Sequence, residues 1–198
     1  VDISRFVSKG LLIGVASLLA GLIPVTGCVE ATAPASPTAS SETTAPLTVE
    51  ALKNAVYRGV FDEPVKLTDG QYEGQPFVEG GASRPTLTFT DVYAFGDLDG
   101  DGVEDAAVVL VQSSGGSGDF YYLAAVMDRG GSPDNVATQL LGDRLRIESA
   151  AINGAEITID ALTHGPDDPL CCPTQQTTLV YRYEEGQLIQ VSEETPAA

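Results

Sequence analysis

Four aspartates crowd a single turn of this chain. In FGDLDGDGVEDAAVVL (95–110), Asp97, Asp99 and Asp101 stand at positions 1, 3 and 5 of a loop, Gly102 at 6, Val103 at 7 and Asp105 at 9. A hard dication such as Ca2+ collects six to eight oxygens at about 2.4 Å, and the odd positions of a tightly wound loop point inward, position 7 through its backbone carbonyl. Gly102 supplies the sharp turn that a residue with a Cβ makes only with strain. Without a cation, carboxylates this close repel and raise one another's pKa, a conflict that a bound metal removes. The competing expectation is a solvated acidic hairpin with no metal. Position 12 is Val108, where an EF-hand places a bidentate glutamate, and AAVVLV (106–111) reads as buried strand rather than helix, so the loop is not an EF-hand.

With Phe95-Gly96 before it and that strand after it, the stretch from Phe95 to Val109 resembles the calcium loop of FG-GAP and VCBS-type repeats, as in integrin propellers. The resemblance implies side-chain ligands at Asp97, Asp99, Asp101 and Asp105, with the carbonyl of Val103. Those families repeat the motif blade after blade, and a propeller needs about four to eight blades. A single copy argues against a propeller here.

A second group with chemical potential lies in THGPDDPLCCPTQ (163–175), which holds the lone histidine, His164, and the adjacent Cys171 and Cys172. Adjacent cysteines sit about 3.8 Å apart at Cα, inside the usual disulfide range, so a bond between them closes a strained eight-membered ring. Three expectations stand side by side. One is a structural vicinal disulfide that stiffens a proline-rich loop outside the reducing cytosol. Another is a soft-metal site for Cu(I) or Zn2+ built from His164, Cys171 and Cys172 with Asp167 or Asp168 nearby. The last is redox work or pairing with another chain.

Other features point away from catalysis. SSGGSGDF (113–120) approaches the G-x-S-x-G nucleophile pattern around Ser117, but Asp119 replaces the final glycine and the next residues are strand-like where a helix is required. A flexible hairpin loop is the expectation there. Tyr57, Tyr121, Tyr122, Tyr181 and Tyr183 are candidates for a sugar or peptide groove, although strand aromatics usually serve packing.

These residues need a scaffold, and the pattern predicts α+β, mainly antiparallel β, with one N-terminal helix followed by a hairpin-rich sheet. Thr48 is placed to N-cap VEALKNAVY (49–57), with Glu50 in the first turn and Leu47 and Leu52 as a hydrophobic staple. Turn dipeptides follow at Asp69-Gly70, Asn153-Gly154 and Glu185-Gly186, between strands such as LTFTDVYAF (87–95), FYYLAAVMD (120–128) and TTLVYRY (177–183). Short connections predict antiparallel pairing, with the sheet closed on itself or backed by the helix.

The N-terminus predicts an address. Arg5 and Lys9 precede an apolar run from Leu11 to Val25, shorter than the roughly 20 residues of a membrane span and broken by Pro24. Val25-Thr26-Gly27-Cys28 then resembles the lipobox of bacterial lipoproteins. That resemblance implies a signal peptide at 1–27, cleavage before Cys28, and diacylation (palmitate-type chains) of its sulfur. Two acyl chains give stable membrane attachment where one is marginal. Residues 28–46 then form a disordered Ala/Ser/Thr/Pro tether, about 25 Å long on average. A single mainly-β domain at 47–192 and a disordered tail at 193–198 complete the organisation.

Charge narrows the partners. The formal net charge is -18, and loss of Asp2, Arg5 and Lys9 with the leader takes it to about -19. Such a chain is repelled by nucleic acid, which excludes that class. The mature pattern resembles a group of bacterial cell-envelope lipoproteins, a likeness that implies an address without an activity. The leading expectation is a non-enzymatic, calcium-stabilised domain that faces outside the cytoplasm and binds a protein, peptide or glycan. The alternative is an envelope soft-metal (Cu or Zn) or thiol-redox protein acting through His164, Cys171 and Cys172.

Overall fold

The computed structural model describes residues 45–195, all within one compact unit. The leader, Cys28 and the tether up to residue 44 lie outside the described residues, as do residues 196–198. The fold is predominantly antiparallel β, with one short helix at its start.

That helix, α1 (Val49–Lys53), begins as the sequence predicts. The Thr48 hydroxyl accepts the Ala51 N–H at 3.1 Å, and Leu47 and Leu52 are both buried in one core cluster. It ends four residues sooner than expected. Asn54 closes it by donating its backbone N–H to Ala51 and Leu52, and the Gly70 N–H takes the Lys53 carbonyl at 2.8 Å. The chain then enters β1 (Val56–Tyr57), which pairs with β2 (Val65–Lys66). Val56, in this strand, is exposed, so the α part shrinks to a little over one turn and the α+β expectation gives way to a mainly β fold.

Five strands form the central sheet in the order β3 (Gln71–Glu73), β4 (Thr86–Gly96), β5 (Asp105–Ser113), β6 (Asp119–Asp128) and β7 (Pro133–Asp143). Four more, β8 (Arg146–Asn153), β9 (Glu156–Thr163), β10 (Gln175–Glu184) and β11 (Gln187–Glu194), form a second meander. All neighbours in both sheets are antiparallel. Strand β11 stays paired through Glu194, two residues past the domain edge expected at 192.

The unbroken apolar run of β5 has a direct structural cause. Ala106, Val108 and Leu110 face a cluster with Leu52, Tyr57, Leu67 and Leu87, whereas Ala107 and Val109 face one with Ile157, Ile159, Leu179 and Tyr181. Successive side chains of a strand point to opposite faces, so a strand covered on both sides reads as continuous hydrophobicity. The central sheet is therefore sandwiched between the helix with the β1–β2 ribbon on one face and the second sheet on the other. It is neither closed on itself nor backed by the helix alone.

The turns follow their dipeptides with one shift. Asp69 and Gly70 both have positive φ (50° and 81°), as do Glu185 and Gly186 (48° and 81°), the pattern of a type I′ hairpin turn. At β8–β9, Asn153 pairs with Glu156, so the two turn residues are Gly154 and Ala155 rather than Asn153 and Gly154. Only Gly154 has positive φ there, which puts glycine first, as in a type II′ turn.

Candidate metal centre

The acidic loop is the connection between β4 and β5, closed by the pair Gly96 and Asp105. Its shape is held by its own carboxylates. Asp97 accepts the N–H groups of Gly100 (2.7 Å) and Gly102 (3.0 Å), Asp99 that of Asp101 (3.2 Å), and Asp101 that of Val103 (2.8 Å). Leu98, 1% exposed, turns inward and joins the cluster between the two sheets, anchoring the loop on the core. Gly100 and Gly102 both take positive φ, 80° and 86°, where a side chain is strained.

Asp105 differs from its neighbours because it is buried, at 2% exposure. Its Oδ2 accepts the Leu98 N–H at 3.0 Å and its Oδ1 the Asp128 N–H at 2.9 Å. Burial pushes its pKa up; the two N–H bonds pull down, and the negative charges of Asp99 and Asp101 push up again. Among the described residues no ion pair reaches Asp97, Asp99, Asp101 or Asp105. The described residues supply these carboxylates with hydrogen bonds but no counter-charge.

Asp97, Asp99 and Asp105 each present an oxygen within 4.8 Å of the others, the one group of three or more potential metal-ligating side chains among the described residues. These are hard donors, the chemistry of a calcium or magnesium site. Each carboxylate oxygen has two lone pairs, so an N–H bond leaves one free. Asp101, expected as a fourth ligand, is exposed and is not in the group. Val103 itself is 43% exposed.

A cleft of about 680 Å³ opens beside the loop, where Asp97 and Asp99 meet Ile152, Asn153 and Tyr183 of the second sheet. The Tyr183 N–H donates to the Ala155 carbonyl at 2.9 Å and ties the hairpin ends together. Gly96 is required at its floor, since a Cβ there would lie 2.6 Å from Ile152 Cγ2. Of the five tyrosines weighed from the sequence, Tyr57 and Tyr181 are buried core and Tyr121, Tyr122 and Tyr183 pack against it, Tyr183 also lining the cleft.

The cysteine loop lies between β9 and β10. Asp168 organises it by accepting the N–H groups of Gly165 (2.9 Å) and Thr174 (2.8 Å) and the Thr174 hydroxyl (2.8 Å). The Gly165 bond first, then those of Thr174, hold its pKa below the ordinary carboxylate range. The Cys171 and Cys172 sulfurs lie together as an exposed vicinal pair. His164 is half-buried, and both its ring nitrogens are shielded and without a hydrogen-bond partner. His164, Cys171 and Cys172 are not assembled into a three-donor cluster like that of the aspartates. Ser117 sits exposed in a loop joining β5 to β6, strand to strand, as expected.

One residue at the acidic end escaped the sequence. Asp128, 8% exposed, accepts the Leu47 N–H at 3.1 Å and that of Gly131. The only local signal was an aspartate ahead of a Gly-Gly turn in MDRGG (127–131).

No protein-family model matches this chain, and neither does any curated protein or solved structure. Among the described residues no helix is long and apolar enough to cross a membrane.

Proposed function

We propose that this protein is a lipid-anchored envelope protein whose β domain binds calcium at Asp97, Asp99 and Asp105 and serves as a non-enzymatic binding module. One observation carries the metal reading: three hard oxygen donors converge, and among the described residues no lysine or arginine pairs with them. The lipobox at Cys28 supports the address. The cleft beside the loop supports the binding role, because it offers polar side chains and one aromatic to a protein, peptide or glycan. Bound there, the ion removes the repulsion within the loop and ties β4 to β5.

The test is thermal unfolding of the full chain with calcium and with chelator. At about 100 times its dissociation constant, an ion that binds only the folded state adds about 2.7 kcal/mol. Asp97→Ala is expected to abolish the gain, whereas Asp101→Ala retains part of it, since Asp101 stands outside the three-donor group. Superimposable melts for the unmutated chain would remove the metal from the proposal.

A second reading, thiol-redox work, is supported by the exposed pair Cys171 and Cys172. Intact-mass measurement separates its states. A mass two hydrogens below the reduced chain fits a disulfide, and a reduced chain with stoichiometric copper or zinc fits the soft-metal alternative.

A further inference from the structure

The acidic loop and the point where the chain enters the domain are joined by a short run of buried hydrogen bonds. Asp105 accepts the Asp128 N–H, and the Asp128 carboxylate accepts the Leu47 N–H at 3.1 Å. Both aspartates are buried, at 2% and 8% exposure, so these bonds are shielded from competing water. Leu47 is itself buried, seated against the core that holds α1. The incoming backbone is also pressed onto the β6–β7 turn, where a Cβ on Gly131 would lie 2.7 Å from the Ala45 carbonyl oxygen. Across a smaller cleft of about 370 Å³, Pro46 faces Gly102, Val103 and Glu104 of the acidic loop.

We propose that Asp105 and Asp128 form a latch through which the acidic loop controls the seating of Ala45–Leu47. The idea rests on the metal reading of the loop and adds to it a consequence at a second place. A cation held by Asp97, Asp99 and Asp105 fixes the Asp105 carboxylate, which fixes the Asp128 backbone and so the acceptor that Leu47 needs. Removing the cation leaves Asp105 among repelling carboxylates and loosens the whole run. Ala45–Leu47 is then held firmly in calcium and loosened without it.

Coupling of this kind is reciprocal: if calcium tightens the seat, an intact seat tightens calcium by the same factor. The experiment follows amide exchange at Leu47 in the full chain, with calcium and with chelator, alongside calorimetric calcium titration. Exchange about tenfold slower in calcium is expected, within the usual range of such couplings. In Asp99→Asn, which alters a ligand but leaves the latch intact, exchange becomes independent of calcium. In Asp128→Ala it is fast in both conditions and calcium binds more weakly by a similar factor. Gly131→Ala, which crowds the Ala45 carbonyl and strains the turn whose Gly131 N–H bonds the Asp128 carboxylate, weakens calcium binding in the same direction.

Calcium binding without any change at Leu47 overturns the latch and leaves the metal site standing. No calcium binding at all overturns the metal reading, and with it the control by metal. Leu47 exchange unaffected by Asp128→Ala, in a chain whose circular dichroism is unchanged, overturns the latch itself.

Discussion

Aspartates do three different jobs in this protein, and burial with hydrogen bonding sorts them. Asp97 and Asp99 shape a turn and leave lone pairs for a cation, and Asp105 and Asp128 are buried junctions between elements. Asp168 pins a loop by accepting three hydrogen bonds, all of which favour its charged form. Its folded pKa is therefore depressed. For such a group the stabilisation is complete above the ordinary carboxylate range and is lost as pH falls through the lower, folded value. The amide resonances of Gly165 and Thr174 are expected to hold their positions until the pH is below the normal range for a carboxylate, and then to move together. Asp168→Asn should remove that transition, and amides that shift at the ordinary carboxylate pH would contradict the assignment. The aspartate spacing was visible in the linear chain, but the split between Asp101 and Asp105 was not. Only the fold puts Asp105 at the first residue of a buried strand and leaves Asp101 exposed.

Among the elements, the helix shows how local and tertiary signals share control. Its start is local, because Thr48 and Ala51 are three residues apart and the cap needs nothing else. Its end is tertiary: the Lys53 carbonyl is taken by Gly70, and Asn54 Oδ1 accepts the Asp69 N–H at 3.2 Å. Thr48→Ala is expected to cost about 1 kcal/mol in denaturant unfolding, the usual worth of a cap. A loss below a few tenths of a kcal/mol would mean that the core contacts of Leu47 and Leu52 hold the turn unaided. The hairpins follow the same division. Asp69-Gly70 and Glu185-Gly186 are complete signals because both residues accept positive φ, but at Asn153-Gly154-Ala155 the strand register moves the turn by one residue. Register is decided by which side chains face the core, and Ile157 and Ile159 of β9 are fully buried in the cluster between the sheets.

For the whole molecule, the decisive question is whether it is tethered. Cys28→Ser removes the proposed acylation site, and the variant is expected as unprocessed precursor or as soluble protein in cell fractionation. Recovery of a processed, detergent-requiring form in the membrane fraction would refute the lipid anchor. The sequence by itself determined what depends on neighbours along the chain: the aspartate loop, the helix cap, two of the three glycine turns and three strands of the central meander, β4, β5 and β6, but not β7. The depth of the core was also implied, since AAVVLV is apolar at every position and a strand of that kind is covered on both faces. What covers those faces, a second sheet on one side and a helix with a two-stranded ribbon on the other, only the tertiary structure decided. The same is true of the links from Asp105 to Asp128 and from Asp128 to Leu47. Partners 81 residues apart leave no periodic trace, because their pairing exists only once the sheets have stacked and excluded water from between them.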